Sequence, residues 1–220
     1  MSDVVKAFNI SPEIHAYLIE HGSRPDAIGQ ELIDTTRELG GISIMQIAPE
    51  QGAFMTLLTR LLGARRAIEV GTFTGYSALC VARGLPDDGE LVCCDVSEEW
   101  TNIGKPYWER AGVADKIDLR IGPAIDTLRS LSEDDGYDIA FIDADKTGYR
   151  EYAEELIRLV HPGGLILVDN VLWMGTVIDP DVNDEQVEAI RAFNDWATAD
   201  ERVEDVMLAI SDGLTLLRVR

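Results

Sequence analysis

Five short apolar runs follow one another from residue 66 onward, separated by stretches in which apolar residues recur at helical spacing. The predicted strands are Ala67–Val70, Glu90–Asp95, Lys116–Ile121, Tyr137–Ile142 and Gly164–Val168. The predicted helices between them are Tyr76–Arg83, Glu98–Ala111, Pro123–Leu131 and Gly148–Val160. Apolar strands that alternate with helices indicate a parallel sheet with both faces covered. Because crossovers between parallel strands are right-handed, the predicted fold is a doubly wound, mostly parallel α/β sheet.

The residues before the first strand predict a helical N-terminal region. Ser11 followed by Pro12 is typical of an N-cap and a first helical position, and Gly40-Gly41 is typical of a helix end. The predicted elements are a helix from Pro12 to about Glu20, a helix from about Pro25 to Leu39, a loop over 42–48 and a helix from Pro49 to Leu62.

The C-terminal part of the chain predicts a hairpin, because two β-rich runs flank Asp212-Gly213. A helix from about Asp184 to Ala197 precedes it. The hairpin would add antiparallel strands at one edge of the sheet. Since the sequence has no internal repeat and no low-complexity linker, we predict a single domain over 1–220, with an N-terminal helical cap over 1–48 and a core over 49–220.

The formal net charge is −21, which argues against nucleic acid as a partner because phosphate binding requires clustered Lys and Arg. No apolar run approaches the roughly 20 residues of a membrane span. The first ten residues, MSDVVKAFNI, lack the pattern of a secretory leader, so we predict a cytoplasmic protein with no membrane partner. The cysteines, Cys80, Cys93 and Cys94, lie in apolar runs, which predicts reduced core thiols.

Acidic residues end four of the predicted strands. These are Glu69, Asp95, Asp143 and Asp169, and Asn170 follows the last of them. Ligands of open parallel sheets bind at the carboxyl ends of the strands, so these side chains would form one acidic rim at the binding edge. The alternative is that each acid caps the helix that follows it. Four acids beside a glycine-containing turn favour a binding site.

The turn after the first strand has the spacing Gly71-x-x-x-Gly75, which differs from the G-x-G-x-x-G that binds a pyrophosphate. An acid at Asp95 suits a ribose diol and fits NAD and S-adenosylmethionine equally. A carboxylate at Glu69 would repel a pyrophosphate but suits the ammonium group of a methionine moiety. The pattern therefore favours S-adenosylmethionine, with an NAD-dependent oxidoreductase or a non-enzymatic ligand-binding protein as alternatives.

Asp143, Asp169 and Asn170 supply only oxygen ligands, the set preferred by hard cations such as Mg²⁺, Mn²⁺ or Ca²⁺. If the fourth and fifth strands are neighbours, their ends lie about 5 Å apart, so that both carboxylates reach one ion. No His or Cys accompanies them, which disfavours zinc. A divalent metal site, with Mg²⁺ favoured, is therefore predicted.

These motifs carry a resemblance to a known family. From about Met45 to the C-terminus, the chain resembles the metal-dependent O-methyltransferases that use S-adenosylmethionine and include the caffeoyl-CoA and catechol enzymes. MQIAPEQG (45–52) and DVSEEW (95–100) further resemble bacterial members that methylate catechols in natural-product pathways. The resemblance implies a Rossmann-like methyltransferase fold, O-methyltransferase activity and a homodimer. The segments that carry it are EVGTFTGYSAL (69–79), LPDDGELVCCDVSEEW (85–100), RAGVADKIDLRIGPA (110–124), FIDADK (141–146), VHPGGLILVDNVLWMG (160–175) and ISDGLTLLR (210–218).

The resemblance also implies roles for individual residues. The first-turn residues would bind the methionine portion of the cofactor, Asp95 the ribose, and Ala124 would lie beside the adenine. The implied metal ligands are Asp143, Asp169 and Asn170, and the implied catalytic residues are Lys146, as the base, and Asp143. The full set expected at the cofactor is Met45, Ile47, Glu69, Gly71, Thr72, Ser77, Asp95, Ala124 and Asp143.

Lys146 lies three residues after Asp143. A nearby divalent cation, together with burial, would lower the pKa of Lys146 enough for it to accept a proton. The alternative is an ion pair with Asp143 or Asp145, which the pattern alone favours. Lys146, Asn170, Trp173 and Tyr149 are predicted to contact an aromatic acceptor, with ordinary packing as the alternative for the two aromatic residues.

Charge also bears on the acceptor. A CoA thioester carries several phosphates and needs a basic surface, whereas residues 175–188, GTVIDPDVNDEQVE, are acidic. We therefore predict methyl transfer from S-adenosylmethionine to a hydroxyl of a small catechol-type phenol, with a caffeoyl-CoA ester as the alternative acceptor.

Overall fold

A seven-stranded mixed sheet forms the centre of the computed structural model, which describes residues 10–22 and 24–220. Its strand order is β3-β2-β1-β4-β5-β7-β6; the first five strands are parallel, and β7 runs antiparallel to both of its neighbours, β5 and β6. The predicted doubly wound sheet with a C-terminal hairpin is confirmed. The prediction about a secretory leader concerns mainly residues 1–9, which lie outside the described residues. The strands are Arg66–Val70 (β1), Glu90–Asp95 (β2), Ile117–Ile121 (β3), Tyr137–Ile142 (β4), Val160–Asp169 (β5), Val203–Leu208 (β6) and Leu214–Val219 (β7).

Eight α-helices are present in the described part of the chain. N-cap side chains begin several of these helices. The Ser11 hydroxyl accepts a hydrogen bond from the Ile14 amide, and the Asp184 carboxylate accepts one from the Val187 amide. Among the described residues, no helix is long and apolar enough to cross a membrane. The helices are Pro12–His21 (α1), Ala27–Arg37 (α2), Pro49–Leu62 (α3), Tyr76–Gly84 (α4), Glu98–Arg110 (α5), Ala124–Ser130 (α6), Tyr149–Leu159 (α7) and Glu185–Ala199 (α8).

Two segments differ from the sequence-based prediction. Residues 40–45, most of which the pattern assigns to a loop, form a 3₁₀ helix. Strand β5 begins at Val160 rather than Gly164, because Val160 already pairs with Tyr137 of β4. The register then shifts, and Gly163, with φ of 91°, lies in the irregular stretch between the predicted helix and the predicted strand.

The two faces of the sheet carry separate apolar clusters, and adjacent cysteines of β2 point into each. Cys93 belongs to the cluster that contains Leu79 and Phe141, whereas Cys94 belongs to the cluster that contains Leu156 and Val168. All three cysteines are buried, which confirms that they lie in the core, and they form no disulfide. This close-packed centre fixes the positions of the strand ends.

The carboxyl ends of β1, β2 and β4 are joined by backbone hydrogen bonds that continue just beyond the strands. The Gly71 amide donates to the Cys94 carbonyl at 2.9 Å, and the Asp143 amide donates to the Val70 carbonyl at 2.8 Å. Strands β1 and β4 are adjacent, and the chain order reverses there, which is where open α/β sheets bind ligands.

Candidate active site

A cavity of about 1380 Å³ opens at this edge of the sheet. Single ligand pockets commonly measure about 300–1,000 Å³, so this volume leaves room for a cofactor and an acceptor together. Two residues predicted at the site, Glu69 and Tyr149, lie outside the cavity lining. The predicted residues that do line it are Met45, Ile47, Gly71, Thr72, Ser77, Asp95, Ala124, Asp143, Lys146, Asp169, Asn170 and Trp173.

The turn after β1 brings the backbone close to its neighbours at two glycines. Gly71 has φ of 89°, and a Cβ there would lie 1.9 Å from the Asp143 carbonyl oxygen. Gly75 has φ of 82°, and a Cβ there would lie 2.3 Å from the Trp108 ring. Both positions therefore need glycine for conformation and for space.

Asp95 is fixed at the end of β2 by backbone amides. Its Oδ2 accepts from the Thr72 and Phe73 amides at 2.9 and 2.7 Å, and its Oδ1 accepts from the Ser97 amide at 2.7 Å. A carboxylate offers about four acceptor sites, so about one is left for a ligand hydroxyl. Asp95 thus shapes the turn as well as facing the cavity, beside Trp100, which packs edge-to-face on Phe73.

Glu69 is fully buried beneath the first turn. Burial raises the pKa of its carboxyl group to about 8, and the Ser77 and Thr72 hydroxyl groups oppose that rise. Its Oε2 has no hydrogen-bond partner among the described residues. A buried, unsatisfied acceptor of this kind suits a cationic donor delivered by a ligand.

Lys146 is buried at the start of the turn after β4, and its ammonium group joins several elements. Nζ donates to Asn170 Oδ1 at 2.7 Å, to Asp143 Oδ1 at 3.1 Å and to the Tyr149 hydroxyl at 2.5 Å. The ion pair with Asp143, one of the alternatives for this lysine, is therefore present. Asp145 instead accepts from the Tyr152 hydroxyl at 2.6 Å.

The predicted contact between Tyr149 and the acceptor does not fit the structure. Tyr149 is fully buried, and its hydroxyl group donates to the Asp169 carbonyl at 2.9 Å while accepting from Lys146. Tyr149 begins α7, so its side chain points into the core under the site. Tyr149 therefore accepts a hydrogen bond from Lys146 on the core side of the site and does not line the cavity.

Asp143 directly follows β4 and Asp169 ends β5, the adjacent parallel strand, as the metal prediction requires. Burial, followed by the Asp143 charge, raises the pKa of Asp169 to about 7, and burial raises the pKa of Asp143 against the opposing effect of Lys146. Two buried carboxylates held together favour a cation between them.

The third oxygen ligand would come from Asn170, because the described residues contain no cluster of three or more His, Cys, Asp or Glu. Asn170 has φ of 55°, and its Oδ1 already receives the Lys146 ammonium group. One cationic group thus already bridges the Asp143 and Asn170 oxygens. This donor set fits a hard divalent cation and lacks the nitrogen and sulfur ligands of zinc.

Trp173 covers the same site from the loop after β5. Lys146 Nζ lies 5.5 Å from the centre of the Trp173 ring and 4.7 Å from that of Tyr149. The lysine is therefore enclosed by one buried aromatic ring and one that faces the cavity, a setting in which a flat aromatic ligand can stack.

The structure adds residues that the sequence pattern did not indicate. Asp212, interpreted from sequence only as part of a hairpin turn, lines the cavity, as does His15 of α1. His15 Nε2 lies 3.1 Å from Glu50 Oε1, which links α1 to α3 across the cavity. The His15–Glu50 contact joins residues 35 positions apart in the chain, so no local sequence pattern predicts it.

The chain is similar to known methyltransferases along nearly its whole length. The chain is 44% identical over 219 residues to "Probable caffeoyl-CoA O-methyltransferase 1" of Dictyostelium discoideum, which covers 98% of this chain and 94% of the relative. It is 42% identical to tricin synthase 2 of Oryza sativa subsp. japonica, covering 99% of this chain and 78% of that relative.

Solved structures and a family model point the same way. The O-methyltransferase TomG from Streptomyces achromogenes, solved in complex with S-adenosylmethionine, matches with a TM-score of 0.85 and 31% identity, covering 94% of this chain and 96% of TomG. The family model described as O-methyltransferase matches residues 19–220. The chain therefore belongs to the O-methyltransferase family.

Proposed function

We propose that this enzyme transfers the methyl group of S-adenosylmethionine to a hydroxyl group of a catechol-type phenol, with the help of a divalent metal ion. The observation that carries the proposal is the convergence of Asp143, Asp169, Asn170 and Lys146 in a cavity that the Gly71 turn also lines. One wall suits a sulfonium cofactor and the other suits a chelating acceptor.

S-adenosylmethionine is supported by the first turn and by the similarity to TomG, whose structure contains that cofactor. Gly71 and Thr72 line the cavity at the first turn, where the methionine portion would lie, and Asp95 faces the cavity where a ribose would lie. Glu69 supplies the unsatisfied oxygen for the cofactor ammonium group.

Cofactor binding at pH 7 is expected to release about one proton per site. The raised pKa of Glu69, about 8, means that the free enzyme carries this carboxyl group mostly protonated at pH 7. An ammonium group held against it stabilises the ionised form, so the proton leaves on binding. Calorimetry in two buffers of different ionisation enthalpy measures this release.

Glu69→Gln is the matched variant, because it keeps the size of the side chain and cannot ionise. We expect it to bind S-adenosylmethionine more weakly and without the proton release. The same release from both proteins would mean that another group ionises and that Glu69 is not the partner of the ammonium group.

The oxygen donors of Asp143, Asp169 and Asn170 fit a hard divalent ion, with Mg²⁺ favoured over Mn²⁺ or Ca²⁺. A bound ion of this kind supplies Lewis-acid activation of a chelated diol hydroxyl. Lys146, whose Nζ lies at the Asp143 and Asn170 oxygens, would be the base that accepts the hydroxyl proton.

The transfer itself is an in-line displacement. The acceptor oxygen forms a bond to the methyl carbon while the sulfur–carbon bond breaks, and S-adenosylhomocysteine is the leaving group. The contribution of the chain is to hold the two reactants in line, with Trp173 stacked on the acceptor ring and Lys146 beside the reacting hydroxyl. Positioning of this kind lowers a barrier by about 7–11 kcal/mol in favourable cases.

Charge in the cavity supports a small catechol over a CoA ester. Six acids line the cavity, whereas Lys146 is its single Lys or Arg among the described residues. A phosphate-bearing tail would meet repulsion there. The acids are Glu50, Asp95, Asp143, Asp145, Asp169 and Asp212.

A caffeoyl-CoA ester is the second candidate acceptor, because curated relatives at 38–45% identity carry that name. We expect kcat/KM for a simple catechol such as protocatechuate to equal or exceed that for caffeoyl-CoA, measured with Mg²⁺ and S-adenosylmethionine. A strong preference for the CoA ester would overturn the proposed acceptor class but would not contradict the methyltransferase activity.

A homodimer is also part of the proposal, and light scattering of the purified chain tests it.

A further inference from the structure

Two facing turns beside Lys146 hold backbone conformations that side chains rarely adopt. In the loop after β5, Asn170, Trp173 and Met174 have φ of 55°, 45° and 53°. In the turn between β6 and β7, Ser211 and Gly213 have φ of 49° and 88°. Non-glycine residues at such values cost about 1–3 kcal/mol each and persist only where their surroundings hold them.

Hydrogen bonds donated by the loop after β5 to the turn between β6 and β7 hold that loop in place. The Val171 and Leu172 amides donate to the backbone carbonyls of Gly213 and Asp212 at 3.3 and 3.1 Å. The Met174 amide donates to a side chain, Asp212 Oδ1, at 2.5 Å. Asp212 is therefore the residue whose side chain fixes the far end of the loop.

The two turns are also packed closely. A Cβ at Gly213 would lie 2.5 Å from Leu172 Cγ, so the turn fits directly against the loop. A shift of Asp212 would be passed to residues 172–174, and with them to the Trp173 ring over Lys146.

The charge of Asp212 faces the same group of residues. The side chain is half-buried and lines the cavity. Burial raises the pKa of Asp212, and the Met174 amide, Lys146 and Asn170 oppose the rise. The reaction proposed above gives this acid no role in binding or proton transfer.

We propose that Asp212 is a positioning residue that clamps the loop 170–174, so that Asn170 and Trp173 face Lys146 in the acceptor site. This inference rests on the proposed function of that site, and it does not require Asp212 to touch the acceptor. The clamp acts through the Asp212 carboxylate, which accepts a hydrogen bond from the Met174 amide.

Two variants separate this bond from the charge. Asp212→Asn keeps an oxygen that accepts from Met174 and removes the charge, whereas Asp212→Ala removes both. Asp87→Ala is the control, because Asp87 is an exposed acid in the turn before β2, outside the cavity lining. The readouts are hydrogen exchange of the 170–175 amides in the metal-free full-length chain, KM and kcat for a catechol, and the Kd of S-adenosylmethionine.

Asp212→Ala is expected to raise exchange in 170–175 and KM for the catechol by about tenfold each, since a hydrogen bond to a charged acceptor is lost. The Kd of S-adenosylmethionine should stay within about twofold, because cofactor binding lies on the other wall. Asp212→Asn should restore both exchange and KM to near the wild-type values, and Asp87→Ala should leave them unchanged.

Unchanged exchange in Asp212→Ala would overturn the clamp. If Asp212→Asn kept wild-type exchange in 170–175 but raised KM for the catechol, the clamp would also be overturned. The negative charge of Asp212, and not its hydrogen bond with the Met174 amide, would then determine KM. If the wild-type enzyme methylated no catechol, the proposed function would fail, and the exchange measurements would still decide whether Asp212 holds the loop.

Discussion

Replacing Asp169 with alanine is expected to lower kcat/KM for a catechol by about a thousandfold, because Lewis-acid activation contributes several kcal/mol and each 1.4 kcal/mol is tenfold in rate. Asp169 is buried at the end of β5, beside Asp143, so its loss removes a central oxygen donor. Calorimetric titration with Mn²⁺ should show the metal affinity lost, while S-adenosylmethionine binding changes little.

The same variant should fold well. The native pKa of Asp169, about 7, lies above the usual value near 4, so the unfolded chain releases this proton at lower pH than the native protein. Ionisation of Asp169 therefore reduces the stability of the metal-free enzyme as pH rises from about 4 to 7.

Removing Asp169 should accordingly leave the metal-free melting temperature at pH 8 unchanged or higher, despite the small cavity that alanine creates. Asp195→Ala, at an exposed position on α8, is the control for loss of an acid. Wild-type activity in Asp169→Ala would contradict the assignment of Asp169 as a metal ligand.

Gly71→Ala is expected to reduce the free energy of unfolding by about 2–5 kcal/mol, combining about 1–2 kcal/mol for a left-handed conformation with about 1–3 kcal/mol for overpacking. The new Cβ would lie 1.9 Å from the Asp143 carbonyl oxygen, so β1 and β4 would have to separate. Urea unfolding followed by circular dichroism measures the loss.

The rate of methyl transfer should fall further than the loss of stability explains. A shift of about 1 Å at this turn would misplace the methionine portion of the cofactor, and misplacements of that size can lower the rate by about a hundredfold. Gly63→Ala separates the two effects, because Gly63 has φ of 63° but open space around its Cβ position. Equal losses in both variants would mean that close approach at Gly71 has no special importance.

The strand pattern was sufficient to place the acids at one edge of the sheet. Four of the five parallel strands carry an acid at or directly after their carboxyl end, so strand adjacency alone brings Asp143 and Asp169 together. The start of β5 was less predictable, because its first pair, between Val160 and Tyr137, lies across an irregular register that depends on the neighbouring strand.

Other features of the site depend on tertiary packing that no local pattern encodes. Tyr149 points into the core because α7 packs on the sheet. Its position three residues after Lys146 does not predict whether its side chain faces the core or the cavity. Asp212 and Met174 lie 38 residues apart and meet because β7 pairs with β5. The burial of Glu69 likewise follows from the turn folding over β1.

Chelation of a vicinal diol by metal bound at Asp143, Asp169 and Asn170 is the central claim, and comparing catechol with phenol as acceptors tests it most directly. Initial rates of methyl transfer from S-adenosylmethionine are measured with Mg²⁺ and again with excess EDTA. Catechol should react at least about a thousandfold faster than phenol with Mg²⁺, and EDTA should abolish the difference. Equal rates for the two acceptors, or catechol methylation that persists unchanged in EDTA, would contradict the account.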